Sequence, residues 1–117
     1  MIQITPHMRI LLATRPADFR KGIDGLAALC RKQLQSDPFC GTLFVFFNRV
    51  RDRVKILFWD QDGFCIWYKR LEVGAFQMLT TTNDRDGVEI EYWQLVHLLD
   101  GLDLKTGRRR KRYRRVS

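Results

Sequence analysis

The sequence predicts an α+β domain: an antiparallel β-meander sheet with two helices packed on one face, followed by a disordered basic C-terminal tail. Three observations carry this reading. Between Thr42 and Leu71, three β-rich runs (TLFVFFNR, RVKILFW and FCIWYKRL) are separated by two short turns, the pattern of a meander. Apolar residues recur at helical spacing on either side of that block. Residues 105–117 hold eight basic side chains and no acidic one, a composition too charged to build a core.

Taken in order, residues 1–8 read as an irregular arm, and Arg9 to Ala13 (RILLA) as a short buried strand. Pro16 and the N-cap candidate Asp18 introduce a helix over about 19–35. Its apolar stripe is Ile23, Leu26, Ala27, Cys30 and Leu34. Gly22 and Gly25 each weaken that helix by ~1 kcal/mol relative to alanine, which points to a close approach by the sheet or a ligand. Ser36-Asp37-Pro38 ends it, because proline disfavours helical geometry in the residue before it. In the meander, Leu43, Val45 and Phe47 alternate with Phe44 and Phe46, and Val54, Ile56 and Phe58 alternate with Arg53, Lys55, Leu57 and Trp59. Each strand then has one mainly apolar face and one mixed face. Asp62-Gly63 supplies the positive-φ residue of the second turn. Residues 75–79 read as a short strand, 80–87 as an exposed loop, and Val88 to Ile90 as a brief strand. The last helix, about 91–102, places Tyr92, Leu95, Val96, Leu99 and Leu102 on one face.

At 117 residues the chain has room for one core, here 1–104. Of 21 basic residues, eight lie in 105–117, so 13 remain to balance the 13 acidic ones. The formal charge of +8 is therefore a property of the tail. A neutral domain with a polycationic arm suits a polyanion, nucleic acid before an anionic membrane. No signal peptide and no membrane-length apolar run is read, and Cys30, Cys40 and Cys65 fit reduced, buried thiols, so a cytoplasmic protein is expected.

The arm itself is the first candidate site. Arg108, Arg109, Arg110, Lys111, Arg112, Arg114 and Arg115 offer phosphate contacts, and Tyr113 offers a ring for a base to stack on. The second is Asp18-Phe19-Arg20-Lys21-Gly22-Ile23-Asp24-Gly25-Leu26. Two cations in the first turn of a helix oppose its dipole, which an anion docked there would explain; surface pairing with Asp18 or Asp24 is the alternative. The third is a basic surface of the meander: Arg49, Arg51, Arg53, Lys55, Lys69 and Arg70. Asp60 and Asp62 read as a turn, since a calcium loop needs further acidic ligands at fixed spacing. His7 and His97 stand without a nucleophile placed to act with them. There is no phosphate-binding glycine loop and no nucleophile elbow. The sequence offers no catalytic residue, metal site or cofactor.

Several segments, in their order and spacing, resemble a known family. They are the Asp18–Leu26 segment, Gly41-Thr42-Leu43-Phe44-Val45-Phe46, Lys55-Ile56-Leu57-Phe58-Trp59-Asp60, Gly63 to Glu72, and Leu95 to Asp103. The chain resembles the small accessory proteins called TnpB of the insertion-sequence-66 group of bacterial transposons. It does not resemble the much larger RNA-guided nuclease that shares the name. The resemblance covers about residues 8–104. It implies a non-catalytic helper in transposition, encoded beside a separate transposase that carries the catalytic acids. The implied partners are DNA at the transposon ends, the transposase and other proteins of the same operon. Two readings stay open: a DNA-binding helper, and a protein–protein adaptor of the transposase that never touches DNA. The chain departs from the family pattern at Glu91, where a serine or threonine is usual, and in its arginine-rich extension beyond residue 104.

Overall fold

A computed structural model of the chain describes residues 5–77 and 85–100. The elements are β1 (Ile10–Ala13), α1 (Ile23–Lys32), β2 (Leu43–Phe47), β3 (Arg53–Asp60), β4 (Gly63–Arg70), β5 (Gly87–Ile90) and α2 (Tyr92–Asp100). They form a five-stranded mixed sheet in the order β4-β3-β2-β1-β5. The meander β2-β3-β4 is antiparallel throughout, with Val45 opposite Ile56 and Ile56 opposite Trp67. β1 joins it parallel to β2, with Leu11 opposite Phe44, so α1 is the crossover that a parallel pair requires. β5 closes the other side, antiparallel to β1, with Ile10 opposite Ile90.

The α+β class follows the sequence reading, but the helices lie on opposite faces of the sheet. Leu26, Ala27 and Cys30 of α1 pack with Leu11, Ala13, Phe44, Phe46 and Leu57. Leu95 and Leu98 of α2 pack with Ile10, Leu12, Leu43, Val45, Val54 and Ile56. The reason lies in β1 and β2. ILLA and LFVFF are buried at every position, and an uninterrupted apolar strand needs cover on both sides. The face read as mixed is thus a second core.

Other differences are local. α1 starts at Ile23, four residues later than expected, with Gly22 as an N-cap that makes no side-chain bond. Asp18 instead closes a turn of its own: its carbonyl accepts from the Lys21 N–H at 3.1 Å. Ile23 is exposed and Leu34 lies past the helix end. In α2, Leu98 is buried and Val96 faces outward, so the buried stripe is rotated from the one read. Glu91 caps α2 through the main chain: the Gln94 side chain accepts from the Glu91 N–H at 2.7 Å, while the Gln94 N–H donates to the Glu91 carbonyl at 3.0 Å. This is the return half of a capping box, achieved without serine or threonine. In the β3–β4 turn, Gln61 rather than Gly63 takes the positive φ, at 54°. Residues 75–77 are not a strand; the rest of that stretch, Leu102 and the whole basic tail lie outside the described residues. Cys30 is buried, but Cys40 is exposed, in the loop before β2, with its thiol 3.2 Å from the Thr42 hydroxyl. Among the described residues no helix is long and apolar enough to cross a membrane.

Candidate nucleic-acid interface

The site is built at one end of the sheet, where β1 and β2 finish, β3 begins and β4 ends. The β1–α1 connection runs along this end and is pinned at three points. The Thr14 N–H donates to the Asp86 carbonyl at 2.9 Å and its hydroxyl to the Arg85 carbonyl at 2.7 Å. The Ala17 N–H donates to the Phe47 carbonyl at 2.9 Å. Lys55 then reaches up from β3: its ammonium donates to the carbonyls of Phe19 at 2.9 Å and Lys21 at 3.0 Å. It also lies 5.1 and 5.5 Å from the ring centroids of Phe19 and Tyr68, within reach of cation–π attraction.

Lys55 therefore leaves the basic surface on which the sequence placed it. It is only 9% exposed, and its charge is spent holding the loop. Lys69 is removed for a different reason. It stands opposite Val54, on the α2 side of the sheet.

The remaining cations converge. Arg53 and Arg70 are cross-strand neighbours at the end of the β3–β4 ladder. Arg49 and Arg51 are exposed on the adjoining β2–β3 loop. Asn48 shapes that loop by accepting from the Arg53 N–H at 3.0 Å and donating to the Asp52 carboxylate at 2.6 Å. Arg51 holds φ at 61° and accepts at its carbonyl from the Phe76 N–H at 2.7 Å. Asp18 and Phe19 face Asn48, Arg49 and Val50 across a shallow cleft of about 480 Å3, which joins the Arg20–Lys21 turn to this loop. Arg15 and Arg85, which the sequence reading passed over, extend the row toward β5. The signal that could have found them is the strand pairing itself, since β5 places 85–86 beside 14–15.

Several of these cations have carboxylate partners. Arg20 grips Asp18 through Nε at 3.0 and 3.1 Å and Nη2 at 2.7 Å. These bonds, with the Arg20 N–H at 3.0 Å, hold the Asp18 carboxyl well below the usual carboxylate range. The pairing expected as the alternative is therefore present. It leaves the Arg20 side chain 92% exposed, so the guanidinium remains open to a second anion. Arg70 is tied to Glu72 at 2.8 Å and Arg15 to Asp86 at 2.8 Å. Lys21 makes no salt bridge among the described residues. Both Arg20 and Lys21 precede the first helical residue, Ile23, so neither belongs to the helix itself. The glycine at 25 has a local cause: a Cβ there would come within 2.8 Å of the Lys21 Cβ. Gly25 makes room for Lys21 to lie back over α1.

Among the described residues, no three His, Cys, Asp or Glu side chains gather as a metal site would require. The geometry offers a row of exposed guanidinium and ammonium groups on main chain fixed by hydrogen bonds, suited to phosphate oxygens at several points along a strand.

The comparisons with known proteins bear on what such a row serves. The family model described as IS66 Orf2 like protein matches residues 8–109. The chain belongs to that family. Two proteins of Sinorhizobium fredii (strain NBRC 101917 / NGR234) are similar to it. "Uncharacterized protein y4jC" is 43% identical over 76 residues, 65% of each chain, so that match spans slightly under two thirds of the relative. "Uncharacterized protein y4hO" is 32% identical over 103 residues, 88% of each chain. No solved structure matches. Family membership implies an accessory role in transposition.

Proposed function

We propose that this IS66 Orf2-like protein is a non-catalytic DNA-binding helper that joins transposon ends and transposase in one complex. The observation that supports it best is the convergence of Arg20, Lys21, Arg49, Arg51, Arg53 and Arg70 at one end of a domain whose residues 1–104 are neutral overall. A neutral domain gains nothing in solubility from gathering its cations. Gathering them creates a local positive potential that raises the encounter rate with a polyanion. The hydrogen bonds through Lys55 and Asn48 fix the loops in advance, so less ordering entropy is lost on binding. Arg108 to Arg115 add sequence-independent affinity, because each phosphate neutralised releases condensed counterions.

The adaptor reading rests on a different feature, the side chains exposed on α2. Trp93 is 52% exposed beside Val96 and packs edge-on against His97 at 5.8 Å. Co-purification from cells expressing the whole operon, with and without nuclease treatment, separates the two. A DNA-bridged helper loses the transposase on nuclease treatment, and an adaptor keeps it.

A further inference from the structure

The end of the sheet opposite the basic row has the reverse chemistry. β3 runs eight residues from Arg53 to Asp60, so its two ends stand about 23 Å apart. At the far end Phe39, Trp59 and Phe64 form a three-ring cluster, each pair of centroids 4.9–5.0 Å apart. Phe39 is 48% exposed, and it is fixed in place because its N–H donates to the Asp37 carboxylate at 3.0 Å. Asp37 sits beside Phe39 through this bond, and Asp62 lies in the β3–β4 turn between Trp59 and Phe64; Asp60 has the strand parity of Ile56 and Phe58 and belongs to the α2 side. Asp37 and Asp62 are exposed, and neither takes part in a salt bridge among the described residues. Aromatic faces edged by carboxylates outside any salt bridge are a surface a guanidinium prefers, since it stacks on the ring and bonds the carboxylate in one pose. The same arrangement repels nucleic acid.

The chain carries a segment of matching chemistry. Six of the eight residues from 108 to 115 are arginine. They begin eight residues beyond Asp100, where α2 ends. Fifteen residues of extended chain reach about 50 Å, beyond the 40 Å longest dimension of the molecule. We propose that residues 108–115 dock in cis on the Phe39–Trp59–Phe64 cluster and the neighbouring Asp37 and Asp62. The domain then holds its own arm until a polyanion takes it. This goes beyond the DNA-binding role, and its test contains no DNA, so the two fail separately.

The test uses the full chain with p-benzoylphenylalanine in place of Tyr113. Irradiation of dilute protein should join position 113 to peptides containing 37–40 or 59–64 within one chain. Asp37→Asn/Asp62→Asn should lower the yield about fivefold, the effect of losing one or two weak contacts of this kind, and Phe39→Ala should do the same. Both changes are at exposed positions, and a melting curve matching the parent protein confirms that the fold is kept. If either variant unfolds, the parent cross-link map decides alone. Cross-links elsewhere on the domain, cross-links only between two copies, or none would overturn the proposal. So would a yield unchanged in folded variants.

Discussion

The ammonium of Lys55 donates a 3.0 Å hydrogen bond to the main-chain carbonyl of Lys21. One lysine, buried, thereby fixes the position of another that is exposed. Replacing Lys55 by methionine keeps most of the volume but leaves the carbonyls of Phe19 and Lys21 without their donor. The expected cost is about 1–3 kcal/mol, the penalty for unsatisfied polar groups. The signature beyond stability is local: amide exchange should quicken at 18–22 while the β1–β2 ladder stays protected. Denaturant melts with hydrogen-exchange mass spectrometry check both.

Burial of both sheet faces makes a second prediction. Leu57 is fully enclosed on the α1 side, whereas Phe58 is only partly buried against the α2-side core. Leu57→Ala should cost about 2–5 kcal/mol. Phe58→Ala should cost less than the ~3–5 kcal/mol of a fully enclosed phenylalanine. Urea midpoints of the two variants give the comparison. A greater loss at Phe58 would mean that the meander turns its other face to the main core.

The thiols should separate sharply. Burial is the main cause that pushes the Cys30 thiol up to about 12, while Cys40 is exposed. At pH 8 a thiol reagent should modify Cys40 readily and Cys30 only on unfolding, because the thiolate is the reacting species. Peptide mapping after timed labelling reads the order directly.

The meander, both helices and the strand at β1 were legible because period-2 and period-3.6 patterns are local. The faces were not. Alternation in β3 shows which residues share a side, but Lys55 amid Val54, Ile56 and Leu57 reads as a solvent-facing charge unless its carbonyl partners, 34 and 36 residues away, are known. The late start of α1 was hidden for a related reason. Asp18 is a good N-cap residue, and the same carboxylate also suits the turn it makes with Arg20. Of the candidate cations, Arg20, Lys21, Arg49, Arg51, Arg53 and Arg70 are brought together. Lys55 and Lys69 are drawn off by burial and by strand parity, and the tail lies outside the described residues. Arg15 and Arg85 could not be read as neighbours, since only the β1–β5 pairing joins them.

The salt dependence of DNA binding tests the central claim most directly. The full chain should bind a transposon-end duplex with an affinity that falls steeply as salt rises. The variant Arg20→Ala/Lys21→Ala/Arg49→Ala/Arg51→Ala removes exposed groups and should melt within a few degrees of the parent. Each lost phosphate contact flattens the log–log slope by about 0.9, so the variant's slope should be shallower by roughly 2–4. Fluorescence anisotropy at four or five salt concentrations measures both slopes. A folded variant that binds with the parent's affinity and slope would contradict the account.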